Sequence, residues 1–327
     1  MTRNLKFFVP VLLFGATVAK AQYTDQINTN RPGQSMSAYS VGKTIFQIET
    51  GINGTHEKHD VLNYEANGVA LDLTLRYGAF LEQLEFILDT QYRFDQYSDA
   101  LYTYNRNDFK TLTFGAKYMV YDPNKNYKPT IDVISWKASH KISYRALIPA
   151  IAVYAGYNLV GKDNPYSFPD DKASPKVMLI TQNNFGKWVW VNNIIADKIG
   201  TEYPSYGWIT TVTRGFNTHW SGFVEFQAYK SDYYADGIAR VGAAYLLSDT
   251  MQLDASVSSG FRNTPAIQYG GVGFSWRFDA DYRDILLPGK GDRENLLEED
   301  QKKAKDEKEK RKREREELLD TPAEPQP

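Results

Sequence analysis

The chain holds four histidines and no cysteine, so imidazole, thiol or metal chemistry has few places to sit. His140 and Ser143 are close in sequence, but positions three apart on a strand point to opposite faces. A Ser–His pair also needs a third group to orient the imidazole, and none is evident. His56, Glu57, His59 and Asp60 form the other cluster; two histidines in a solvated stretch without a further ligand make a weak metal site. Neither catalysis nor a cofactor is expected. More informative are charges at even spacing. Asp72 and Arg76, and likewise Glu85, Asp89 and Arg93, fall on one face of an extended chain, because side chains alternate with period two. Glu49, Lys117, Glu225, Arg240, Asp254 and Arg277 occupy the polar phase of other alternating segments. Charges of both signs gathered on one surface can pair and stiffen it. They can also line a polar conduit whose field orders a passing solute.

The elements that must carry these charges are strands with one face in oil. Val69, Leu71, Leu73, Leu75 and Tyr77 alternate with Asp72, Thr74 and Arg76; Leu84, Phe86, Leu88, Tyr92 and Phe94 oppose Glu85, Asp89, Gln91 and Arg93. That pattern is the signature of a membrane strand with a polar lumen side. About twelve strands are predicted, near 44–53, 69–78, 84–94, 109–121, 147–159, 176–185, 187–198, 207–215, 220–230, 237–247, 251–261 and 267–278. The inward and outward faces of 176–185, 187–198 and 207–215 are left open. Short turns at Ala79–Gln83, Gly186, Phe216–His219 and Ser248–Thr250 alternate with longer connections at Gly54–Gly68, Gln96–Asp108, Val160–Pro175 and Gly200–Tyr206. Only Asp122–Ala146 breaks the rhythm, being long where a short turn is due. The expected fold is all-β: a transmembrane antiparallel up-and-down barrel of about 12 strands over 44–278, both termini periplasmic. A soluble β-sandwich is the competing reading.

Two motifs stand at the start of this region. Thr29-Asn30-Arg31-Pro32-Gly33-Gln34-Ser35 is polar and contains Pro and Gly, so it forms neither helix nor sheet by itself. Gln47-Ile48-Glu49-Thr50-Gly51 follows in the first strand. Together they resemble the signature of outer-membrane proteins grouped under a meta-pathway of phenol degradation, which reads roughly T-D-R-P-D-Q-T-E-S, then P-K-G, then Q-I-E-T-G. Thr29, Arg31, Pro32, Gln34 and the whole of Gln47–Gly51 match. Asn30 and Gly33 stand where aspartates are usual, and Met36 where Glu is usual, which removes negative charge. The resemblance runs on to Phe278 through pieces such as Phe114–Tyr118 and Ile148–Ala152. It implies an outer-membrane barrel of the Gram-negative envelope, transporting small aromatic or hydrophobic solutes.

The ends of the chain read differently from its middle. Arg3 and Lys6, the apolar Phe7–Val18 and the small-residue site Ala19-Lys20-Ala21 make a secretory signal peptide over 1–21. The apolar run is too short to span a bilayer and is interrupted by Pro10. An exported chain without cysteine has no disulfides to rely on. The net charge of -2 argues against a nucleic-acid partner. Aromatic content of 14%, with 23 Tyr, suits a barrel set in outer-membrane lipid. Val272, Phe274, Trp276 and Phe278 end the last strand on an aromatic, resembling the recognition signal for the barrel-assembly machinery. A linker over 279–292 is expected to lead into a charged helical tail over 293–320, with opposite charges about four apart, and a Pro-rich end over 321–327. That tail reads as a solvated segment, or as an arm for a periplasmic protein or the cell wall.

Residues 22–43 precede the first strand and are too polar for lipid. Arg31 carries five donors in a rigid fork suited to a carboxylate, and Pro32 holds a bend after it. This segment is expected to turn up into the barrel and partly plug it through Arg31, Pro32 and Gln34, with Arg31 paired to Glu49, Asp72 or Glu85. The expected function is a channel or transporter for small solutes; the alternative is a non-transport anchor for the periplasmic tail.

Overall fold

The structure is a computed structural model and describes residues 27–124, 147–167, 173–232, 235–262 and 265–278. The expected signal peptide, the linker, the charged tail and most of Asp122–Ala146 lie outside these residues, as do His140 and Ser143.

Among the described residues twelve strands run in chain order: β1 (Phe46–His59), β2 (Tyr64–Gly78), β3 (Leu84–Ser98), β4 (Thr103–Tyr121), β5 (Ala150–Asn158), β6 (Ser174–Phe185), β7 (Trp188–Asp197), β8 (Ser205–Gly215), β9 (Trp220–Ser231), β10 (Ala235–Ser248), β11 (Met251–Gly260) and β12 (Ala266–Phe278). Each pairs antiparallel with its chain neighbours, and β1 pairs with β12, so the sheet is a closed transmembrane barrel without a free edge. Outward positions are apolar: Ile52, Leu71, Leu73, Phe114, Val153, Leu179, Ile194, Val224 and Val272 are all exposed. At the terminus end, where β1 begins and β12 finishes, the outward side chains become aromatic. Phe46 meets Phe278 at 5.8 Å and Trp220 meets Tyr245 at 4.9 Å, forming part of an interfacial girdle.

The wall is uneven in height. Strands β1 to β4 are 14 to 19 residues long, whereas β5 to β8 are 9 to 12. The expected long connections at Gly54–Gly68 and Gln96–Asp108 are therefore corrected. Strands β1 and β2 continue to a turn at 60–63, and β3 and β4 to a turn at 99–102. Asp99 caps the second turn, accepting from the Leu101 and Tyr102 amides at 2.8 and 2.7 Å. At the opposite end the β6–β7 turn contains Gly186 with φ +62°, a conformation open to glycine.

Inside, the barrel has two kinds of wall. Ile87, Met119, Ala150, Ala152, Tyr154, Met178, Ile180, Val191, Ile195 and Ile209 make an apolar patch centred on β5 to β8. The charged residues lie mainly on β1 to β4 and β9 to β12. The segment 27–45 fills the space between these walls, with Met36 and Ala38 in the apolar patch.

Candidate functional site in the lumen

The segment 27–45 enters at the terminus end, where the Ile27 amide donates to the carbonyl of Asp249 in the β10–β11 turn at 2.7 Å. It leaves at the same end, where the Thr44 amide donates to Gly78 O at 2.7 Å. Between them the chain rises into the lumen and returns without forming a strand. A buried irregular backbone needs a partner for each N–H and C=O. Here the wall's side chains supply them. Glu49 accepts from the Asn30 and Arg31 amides at 3.1 and 3.2 Å. Glu225 accepts from Gln34 and Ser35 at 2.9 and 3.2 Å. Asn193 accepts from Met36, Gln182 from Ala38 and Glu85 from Val41. The cations hold the carbonyls: Arg76 donates to Asn28 O, Arg240 to Pro32 O, and Lys117 to both Ser37 O and Tyr39 O. Hydrogen bonds with one charged member are each worth about 1.5–3 kcal/mol.

Arg31 is the tip of the insert and reaches both sides of the barrel seam. Its Nη1 is 3.1 Å from Asp72 Oδ2 and its Nη2 is 3.2 Å from Asp254 Oδ1. Nε adds a second contact to Asp254 at 3.4 Å, so that pair is bidentate. Asp72 also accepts from Asn53 and Gln91. Glu49 and Glu85, the other acids expected for Arg31, do not pair with it. Arg76 lies between them, 3.0 Å from Glu49 and 3.1 Å from Glu85, and Lys117 is 3.0 Å from Glu85. All four groups are fully buried, which is tolerable only because every charge is answered by another.

The remaining predicted charges are spread along the inner face. Asp89 accepts from Thr74 at 3.0 Å. Arg240 Nε stands 4.0 Å from Glu225. Arg277 is buried near the terminus end. Arg93 belongs to a separate group toward the far end, with Glu57 at 3.0 Å and Asp95 at 2.8 Å, and Asp95 also holds Arg106. Pro32 contributes its carbonyl, and Gln34 its amide. His56 and His59 sit on opposite faces of β1 and do not converge. Among the described residues no group of three metal-ligating side chains occurs.

Sequence reasoning missed the neutral residues of the site. Gln47 is wholly buried and bridges Asn28 O and Glu49 at 3.1 and 2.7 Å. A Cβ at Gly51 or Gly273 would fall inside the Arg31 guanidinium. Gln47, Glu49 and Gly51 thus share the inner face of β1 as donor, acceptor and empty slot. Their spacing of two is the one signal that could have found them. Two cavities flank the insert: one of about 360 Å³ toward the far end, bounded by Arg31, Gln34, Asp72, Asp89, Lys110 and Tyr269, and one of about 220 Å³ toward the termini.

A family model described as "Putative MetA-pathway of phenol degradation" matches residues 29–278, from the insert to the last strand. The chain belongs to this family. No curated protein matches the sequence. Among solved structures, the COG4313 outer membrane channel from Pseudomonas putida F1 is similar at a TM-score of 0.50 and 11% identity, over 77% of this chain and 100% of that one. The translocator domain of the autotransporter NalP from Neisseria meningitidis is similar at 0.45 and 11%, over 72% and 89% of the two chains. The Pseudomonas putida toluene transporter TodX is similar at 0.38 and 8%, over 71% and 88%. Thr29–Ser35 and Gln47–Gly51, the two stretches that carry the resemblance, are the two halves of one contact, the insert and the wall that holds it. The shared fold is an outer-membrane barrel.

Proposed function

We propose that the barrel is an outer-membrane channel for small aromatic or hydrophobic solutes, closed at rest by the segment 27–45, with both termini on the periplasmic side. The observation that carries this reading is the mode of attachment of the insert. The barrel closes through β1 and β12 alone, and the insert adds no strand to it. Between its two backbone-anchored ends it is held by side chains of the wall, so its middle can shift without breaking the sheet. The space it would vacate has an apolar wall from Ile87 to Ile209 facing a charged one. A solute with an aromatic ring and one polar substituent matches both. The cavity of about 360 Å³ is also within the usual range for small-molecule sites. The family description, phenol degradation, agrees in chemical class.

Conductance in planar bilayers tests the proposal. The full chain is expected to conduct little. Arg31→Ala, or deletion of 22–40, is expected to raise conductance and sensitivity to small antibiotics while the folded barrel persists. An insert-free barrel that folds but does not conduct would overturn the channel reading and favour the anchor reading. An unchanged pore with lower yield would make the segment a folding element.

A further inference from the structure

Strand β4 carries a bulge. Gln91 pairs with Thr111 and Tyr92 with Phe109, leaving Lys110 unpaired in the register. A bulge re-aims its extra side chain. Here it sends Lys110 over the lumen to β12, four strands away around the wall, where Nζ lies 3.1 Å from the Tyr269 hydroxyl and 5.4 Å from the ring centroid. Lys110 and Tyr269 both bound the cavity of about 360 Å³ whose other side is the insert. The bulge is braced from outside the sheet: Asn164, in the connection after β5, donates to Phe109 O at 2.7 Å.

We infer that the Lys110–Tyr269 bridge is a second constriction, at the end opposite the termini, and that it selects solutes bearing an acceptor oxygen, such as a phenolic or carboxylate oxygen. The inference rests on the channel reading above. Tyr269 offers Lys110 a hydroxyl and an aromatic face together, and a phenolic solute offers the same pair of contacts. Such a solute can take Tyr269's place on the ammonium as it passes, whereas an alkane or a cation gains nothing there. An exposed Lys–Tyr contact is weak and opens readily, as a passage for transient solutes requires. Glu57 faces both Lys110 and Arg93, and Asp95 holds Arg93 and Arg106, so three cations meet two carboxylates there and leave a positive excess. The cavity behind the bridge is then a chamber with a barrier at each end.

Because the chain lacks cysteine, Thr74→Cys in the chamber wall gives a single thiol whose labelling rate reports entry. Methanethiosulfonate reagents carrying a sulfonate or a trimethylammonium group are added to the full chain in detergent. With the bridge present, slow labelling and a preference for the sulfonate are expected. Lys110→Ala is expected to raise the rate at least tenfold and abolish the preference, and Lys110→Glu to reverse it. Labelling that is indifferent to Lys110 overturns the inference, whatever the conductance of the Arg31→Ala channel. If labelling responds as expected but the Arg31→Ala, Lys110→Ala pore carries no current, the constriction stands and the channel reading fails.

Discussion

Gly51 and Gly273 face each other across the β1–β12 seam, and the Arg31 guanidinium lies in the space that side chains at either position would fill. The seam that closes the barrel is also the seat of the residue that closes its lumen. Gly273→Ala introduces a Cβ into that seat without touching the hydrogen bonds of the sheet. The insert is expected to be displaced while the barrel stays folded, read as increased conductance with unchanged heat-modifiable mobility. Gly270→Ala on the same strand points outward, where its Cβ would meet Val257 at an ordinary 3.6 Å. It should leave both measurements as they are.

Gly33 is the second tight position. A Cβ there would lie 2.6 Å from Glu225 Oε2, the oxygen that accepts from Gln34, Ser35 and Thr211. Gly33→Asp would restore the residue usual in the resembling signature and set one carboxylate against another. Like charges in a buried site disfavour the ionised pair, so the insert should loosen, giving faster proteolysis of 27–45 by added protease. Glu225→Gln in the same chain should recover part of the protection. Protection unaltered by Gly33→Asp would mean that the insert relaxes around the new side chain.

Leu73 and Asp72 compare the two sides of one strand. Leu73 faces lipid, and Leu73→Arg is expected to cost about 2–4 kcal/mol near the middle of the bilayer. Asp72→Asn keeps an acceptor for Asn53 or Arg31, and Arg31 retains Asp254, so its cost should be smaller. Urea titration of the folded fraction in detergent or lipid orders the two. Equal costs, or the reverse order, would place Leu73 away from the lipid.

How far the sequence could be read depended on where a strand's two faces differ. Between Leu71 and Leu75 lipid lies on one side and charge on the other, so alternation is plain and the strand is legible. Beyond His56 on β1, or before Gly68 on β2, the outward face meets water. Glu57, Lys58, Glu65 and Asn67 then make both faces polar, and the strand reads as a loop. The opposite problem affects β6 to β8. Met178, Ile180, Val191, Ile195 and Ile209 point inward while Leu179, Trp190, Ile194 and Trp208 point outward. Both faces are apolar, so periodicity carries no phase. The inner face is apolar there because Met36 and Ala38 cover it, and no local pattern in β6 to β8 could reveal a segment some 140 residues earlier. Arg31 was legible as a cation seeking carboxylates. Asp254 as its bidentate partner was not, because the pairing depends on barrel closure.

That pairing has a consequence for how the protein is made. Arg31 is 41 residues from Asp72 but 223 from Asp254. The insert emerges before any strand that holds it, and the last of its partners lies on β11. Until β11 and β12 are in place, Asp254 and Gly273 are not there to receive it, and closing so long a chain interval carries an entropic cost that only late contacts offset. The full seat of Arg31 therefore exists only in a barrel whose first strand has joined its last. A barrel halted just short of that joining would be both unsealed along its side and unstoppered through its middle.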